Sequence, residues 1–266
     1  EESDWSSDVC SSDLPSRSPQ YLYGGDLDGA LWRFDITASS NAGVAQRLGR
    51  TASAGNRVQP ITVQPELARI RDGVGTWHRV VYFGTGRYLG PNDVTNSDPS
   101  NGKEQGIYAV VDTGSDIGVF TSGGAKLVKQ ALDTGVTPRK IDPLATVDWQ
   151  TDHGWYVTTP DNERFNVDPG LQLGTLVIAA NIPEQDYCNS TGRSVLYQLD
   201  YKSGNILKVT EYQEQIVGIT QLQTRGGAGP VVVDPVFGDG TTGNTTQVSN
   251  SGGAGGVTRV SWREIE

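Results

Sequence analysis

Short apolar stretches rich in Val, Ile, Tyr and Phe recur along the chain, separated by clusters of Gly, Asp, Asn and Pro. β-Branched and aromatic side chains suit a pleated, half-buried surface, while Gly, Asn, Asp and Pro supply the backbone geometry of turns. This punctuation predicts strands over residues 20–23, 30–35, 79–84, 106–112, 174–181 and 194–200. No window of twelve or more residues keeps apolar positions at helical spacing without Gly or Pro interrupting it. The chain is therefore predicted to be all-β, with almost no helix. Gly-rich stretches at 225–229 and 238–256 are predicted to be flexible loops, the second the least ordered.

A repeat emerges when the strands are aligned on their ends. Leu31-Trp32-Arg33-Phe34-Asp35 matches Leu196-Tyr197-Gln198-Leu199-Asp200 closely and Ile107-Tyr108-Ala109-Val110-Val111-Asp112 loosely. Each copy alternates, carries an aromatic near its start and leaves through an Asp. Each follows another apolar strand, at 21–23, 80–83 or 176–180. The exit Asp is expected to accept backbone N–H groups in an Asx-type turn, fixing the step to the next strand. Stacking such sheets radially buries both faces of each and protects their edges, which is the β-propeller solution. The copies lie roughly 80–90 residues apart, longer than a simple blade of ~40–45. Each interval thus holds two blades or one blade with large insertions. A β-sandwich with long loops is the competing architecture.

Composition narrows the function classes. The 266 residues are 35% hydrophobic and include 34 Gly, which argues against a helical bundle and against a membrane span. A net charge of −10 would repel phosphate and excludes an electrostatic nucleic-acid binder. There is no Met, so the chain is expected to be a fragment or a processed product. Residues 4–14, DWSSDVCSSDL, lack any periodicity and resemble the translation of a short-read sequencing adapter. Residues 1–14 are set aside as a non-native, disordered leader, and 15–266 are read as one partial domain. Cys10 then carries no information and Cys188 is the single native cysteine. Within this stretch no disulfide can form and no zinc cluster is possible.

Beyond these patterns, longer segments resemble the C-terminal propeller of the PilY/PilC type IV pilus proteins. Tyr23-Gly-Gly-Asp-Leu-Asp-Gly-Ala-Leu-Trp-Arg-Phe-Asp35 is similar to that family's Y-x-G-D-L-x-G-x-L-W-R-F-D signature. Gln59-Pro-Ile-Thr-Val-Gln-Pro-Glu66, Val81-Tyr-Phe-Gly-Thr-Gly-Arg-Tyr-Leu89, the strand 107–112, Gly154-Trp-Tyr156, residues 183–188 and 194–200 follow in the family's order. Val260-Ser-Trp-Arg-Glu-Ile265 resembles its extreme C-terminus. The resemblance covers about residues 20–266. It implies a modified β-propeller of which only the C-terminal blades are present, with one sheet edge left unpaired.

The resemblance further implies an exported protein at the pilus tip or outer-membrane surface, acting in pilus assembly, in extension against retraction and in attachment. Its partners would be minor pilins and a host or abiotic surface ligand. The family also binds Ca2+ through an acidic loop directly before the Y-x-G-D-L strand. Here that position holds Pro15-Ser-Arg-Ser-Pro-Gln20, which has no carboxylate, whereas calcium takes six to eight oxygen ligands. The loop upstream of Tyr21 is read as missing, and no calcium is expected in this stretch.

No residue is assigned a catalytic, cofactor-binding or metal role. Asp26 and Asp28, with Gly29 in a left-handed conformation, read as a tight hairpin turn. Asn92, Asp93 and Asp98 fall in a polar insertion, 91–103, read as a surface loop that could carry ligand contacts. His78 and His153 are read as hydrogen-bonded structural residues, and Trp32, Trp149 and Trp155 as strand residues packed in the core. There is no phosphate loop, nucleophile elbow or metal-spaced His pair. An enzyme alternative comes from 194–204, Leu-Tyr-x-Leu-Asp-x-x-x-Gly, which resembles the repeat of quinone-dependent dehydrogenase propellers. Only one good copy is present, without the Trp that follows Gly in that repeat. Asp26 to Trp32 misses the sialidase Asp-x-Gly-x-x-Trp spacing by one residue.

Overall fold

The fold was derived from a computed structural model. It describes residues 9–10, 20–37, 44–52, 57–90, 93, 104–159, 162–183, 192–223 and 231–248. The first sheet holds β1 (Val9–Cys10), β2 (Tyr21–Gly25), β3 (Ala30–Asp35) and β4 (Val44–Arg50), antiparallel throughout and in chain order. The second begins as a meander of β5 (Glu66–Arg71), β6 (Trp77–Gly84) and β7 (Gly106–Val111). The chain then leaves through a 3-10 turn, β8 (Val128–Gln130) and the small hairpin of β9 (Leu132–Asp133) and β10 (Lys140–Ile141). It returns as β11 (Gly154–Thr158), antiparallel to β7 and parallel to β8. The third sheet runs β12 (Gly170–Gln172), β13 (Thr175–Ile182), β14 (Arg193–Asp200) and β15 (Ile206–Tyr212). The fourth comprises β16 (Ile216–Gln223), β17 (Val231–Phe237) and β18 (Thr246–Gln247). None of these sheets closes on itself, and helical backbone among the described residues is confined to the short 3-10 turn and Asp93.

The period-2 geometry of a strand explains how the sheets stack. In β6, Val81 and Phe83 join a core with Tyr23, Leu31 and Leu48 of the first sheet, while Val80 and Tyr82 join Leu176, Ile178 and Tyr197 of the third. In β13, Leu176 and Ile178 face that second-to-third core, and Val177 and Ala179 meet Ile216, Val231 and Val233 of the fourth sheet. Three successive cores therefore lie between four successive sheets. The second and third sheets are covered on both faces, which is why β7 and the centre of β13 read as unbroken apolar runs.

The predicted hairpins are all present: β2–β3, β6–β7 and β13–β14 pair antiparallel. They fall in three successive sheets, so each repeat is one blade enlarged by insertions, the longest being the excursion between β7 and β11. The architecture is all-β and partial-propeller-like rather than a two-sheet sandwich. The exit aspartates behave as expected: Asp35 Oδ1 accepts from Thr37 N, Asp112 Oδ1 from Gly114 N and Asp200 Oδ1 from Ser203 N, at 2.9, 2.8 and 2.7 Å.

Some details differ from the sequence reading. Val9–Cys10 of the leader form a short strand beside Tyr21–Leu22. Residues 238–248, expected to be loop, hold β18 and a turn in which Asp239 Oδ1 accepts from Thr241 N. The predicted loop 225–229, Cys188 and the segments 183–188 and 260–265 lie wholly or mostly outside the described residues. Trp149 is buried as expected but sits in a turn, where the chain folds back onto the core.

Candidate functional site

Polar groups clamp each pair of adjacent sheets. At the first joint, Tyr23 Oη of β2 donates to Asp112 Oδ2 at 2.5 Å, and Arg33 of β3 and Arg79 of β6 pair with the same carboxylate at 3.0 and 3.3 Å. The Tyr21 ring packs under both guanidiniums, 4.6 and 4.9 Å from their centres. Burial opposes ionisation of Asp112, but hydrogen bonds from Tyr23 and Gly114, with Arg33, hold its carboxyl below the usual range. Burial, reinforced by Asp112, pushes the Tyr23 phenol up, so it stays a neutral donor.

The segments that carry the family resemblance knit this joint and the one between the second and third sheets. Gln59 is fully buried, donating through Nε2 to Glu104 O and accepting from Tyr108 Oη. Gly86 N donates to Pro60 O at 2.8 Å, and Phe165 N to Thr85 O at 3.0 Å. A Cβ at Gly84 would lie 2.3 Å from that of Phe165, so only glycine permits this approach of the second and third sheets. Across the joint between the second and third sheets, Tyr82 Oη and Trp155 Nε1 also both donate to Tyr201 O at 3.1 Å. Between the third and fourth sheets, Asn181 Nδ2 donates to Ile216 O and Asn181 Oδ1 accepts from Ile216 N, at 2.7 and 3.0 Å.

A solvent-facing polar cleft of about 240 Å³ opens where the second sheet's excursion meets the rim of the third. Arg139 reaches across and donates to the carboxylate of Glu163 and, at 2.6 Å, to Tyr197 Oη. Tyr197 Oη in turn donates to Glu163 Oε2 at 2.9 Å. Glu163 is almost fully buried, and burial raises its carboxyl above the ordinary value despite Arg139 and Tyr197. Asn162 beside it holds a left-handed φ of 76°, and its buried Oδ1 has no hydrogen-bond partner. Arg193, Ser194, Glu211, Tyr212 and Gln213 complete the polar lining. Sequence reasoning missed this cleft, because its residues come from several separate segments between positions 139 and 213 and carry no motif.

The residues singled out from sequence take structural roles. Asp26 accepts from Ala30 N and Trp32 Nε1 at 2.8 and 2.7 Å, Asp28 is exposed, and Gly29 has φ 73°, which is the hairpin-turn reading. Asp93 is buried, paired with Arg87 at 2.9 Å and capping Leu89 N and Gly90 N. It closes its own loop rather than presenting a ligand contact; Asn92 and Asp98 lie outside the described residues. His78 bonds to Asp72 and His153 to Ala125 O. Trp155 is fully buried, and Trp149 nearly so. Trp32 departs from the core reading: it is half-buried, held at the hairpin by Asp26. Residues 194–204 form β14 and its Asx turn, with Asn205 after Gly204. Among the described residues no three His, Cys, Asp or Glu side chains converge as metal ligands, and no helix is long and apolar enough to cross a membrane.

Stacked, clamped sheets with a polar rim cleft define a propeller-like scaffold whose sequence signatures maintain its joints. Among proteins of known name, the chain is 30% identical over 205 aligned positions to a type IV pilus biogenesis factor PilY1 homologue of Xylella fastidiosa, covering 69% of this chain and 13% of that one. A second homologue of that name from the same organism is 29% identical over 275 positions, covering 92% and 21%. The type IV pilus biogenesis factor PilY1 of Pseudomonas aeruginosa is 26% identical over 236 positions, covering 72% and 20%. No protein-family model matches. The chain belongs to the PilY1 family, and it spans about a fifth or less of the length of these relatives.

Proposed function

We propose that the chain is part of a type IV pilus biogenesis factor and works as a rigid binding platform without catalysis. The observation that carries this reading is its similarity, along most of its length, to three proteins named for pilus biogenesis. In this reading the protein is exported to the pilus tip or outer-membrane surface, engages minor pilins and a surface ligand, and favours pilus extension over retraction. The interlocked joints suit such a role, since a platform under pulling load needs sheets that do not slide. Calcium enters only through the intact protein, in a loop ahead of Tyr21, because residues 15–20 supply no carboxylate.

Replacing the matching fifth of the Pseudomonas aeruginosa protein with residues 20–266, in a strain lacking its own copy, tests the proposal. Restored surface pili are expected. Bare cells that nevertheless export the folded chimaera would refute it.

A further inference from the structure

β15 is the outer strand of the third sheet, and one row of its backbone N–H and C=O groups has no strand partner among the described residues. Two clefts meet at its end, one toward the second sheet's excursion and one toward the fourth sheet, with Tyr212 and Gln213 lining both. The first is the Arg139–Glu163 cleft, reached by Glu211. The second, also about 240 Å³, lies toward the fourth sheet beside Tyr212, Gln213 and Phe237, with the Tyr212 and Phe237 rings edge-on at 5.5 Å. Successive residues of a strand point to opposite faces. A strand added beside β15 would therefore send neighbouring side chains into the two clefts in turn.

The first cleft states what it accepts. Glu163 is satisfied by Arg139 and Tyr197. The other terminal nitrogen of Arg139 has only Glu211, at 3.7 Å, beyond hydrogen-bond length, and Glu211 is 55% exposed and free to turn away. Arg193 lines the mouth and makes no ion pair with a described residue. The unpartnered Asn162 Oδ1 offers a buried acceptor. Two guanidinium donors and one acceptor suit a carboxylate carried on a chain that also has N–H groups.

We infer that β15 and its paired clefts form a docking groove for an extended peptide segment of a partner protein, which adds as a further strand and places an acidic side chain between Arg139 and Arg193. Edge-strand pairing supplies affinity and the pockets supply specificity. This inference rests on reading the chain as a binding platform, but its test is capture of a peptide in solution and does not depend on piliation.

The probe is the N-terminally fluorescein-labelled, C-amidated peptide Ser-Thr-Val-Glu-Val-Thr-Ser, beside the same labelled peptide with Gln for Glu, each titrated with the full chain and followed by fluorescence anisotropy. Saturable binding is expected, weaker by about tenfold for the Gln peptide. Arg193→Ala, at an exposed unpaired residue, should remove that preference. Hydrogen exchange should slow at amides of 206–212 when the Glu peptide is bound. Absence of saturable binding, equal affinity for the two peptides, or protection elsewhere but not on β15 would overturn the inference.

Discussion

Tyr23 and Asp112 lie 89 residues apart in sequence and 2.5 Å apart in space, the phenol of one sheet donating to the carboxylate that ends a strand of the next. The same carboxylate forms the Asx turn at Gly114 and pairs with Arg33 and Arg79. One residue thus closes its own blade and fastens the neighbouring one. Asp112→Ala removes the carboxylate that two part-buried guanidiniums share and should cost about 3 kcal/mol, read as a lowered denaturation midpoint. Tyr23→Phe removes the hydrogen bonds that the phenol makes with Asp112 and Arg79 and should cost about 1.5–3 kcal/mol.

The Asp112 joint also sets an acid limit. Its carboxyl is held below the ordinary range in the fold, so its stabilisation is present above the unfolded value of about 4 and lost as pH falls through the lower folded value. Stability should decline on acidification below about pH 4. Asp112→Asn, which keeps the turn acceptor, should be less stable at pH 7 yet lose less of its stability in that descent. Equal slopes in the two proteins would contradict this assignment.

Gly84 and Gly24 give a matched pair. A Cβ at Gly84 would strike Phe165, whereas one at Gly24 meets nothing within 4 Å. Gly84→Ala should destabilise by about 1–3 kcal/mol through overpacking, and Gly24→Ala should fall within about 0.5 kcal/mol of the parent. Thermal melts of the two variants check this directly.

Asn181 holds the fourth sheet to the third through two hydrogen bonds to Ile216. Asn181→Ala leaves a buried N–H and C=O unpaired and should cost about 2–3 kcal/mol. The loss should be local: amide exchange is expected to speed up across 216–223 and 231–237 before it changes in β6 and β7.

β16 is an edge strand of the fourth sheet and exposes Val217 and Leu222 at 59% and 50%. Unpaired edges with exposed apolar side chains invite pairing between copies. The isolated chain is expected to self-associate in sedimentation experiments, and Val217→Glu with Leu222→Glu should shift it toward monomer.

The hairpins that build the blades were legible because both partners are buried and alternation places their side chains in separate cores. Tyr21–Tyr23, Val80–Phe83 and Leu176–Ala180 stand out from their neighbours for that reason. The outer strands were not legible: β4 and β15 carry Gln46, Arg47, Lys208 and Glu211, because an edge strand tolerates polar residues on faces open to water. The turn role of Asp26 was readable from local spacing. The buried Asp93–Arg87 pair, Gln59 and the Arg139–Glu163 cleft were not, since burial of a polar group is set by tertiary neighbours that no local pattern reveals.

The stacking of one blade per repeat rests on neighbouring residues of β6 facing different sheets. Methyl nuclear Overhauser measurements on the labelled chain test this most directly. The expected result is that Val81 sees Leu31 and Leu48 of the first sheet, while Val80 sees Leu176 and Ile178 of the third. If both valines instead report the same sheet, or neither sees residues before position 50, the stacked-blade architecture is contradicted.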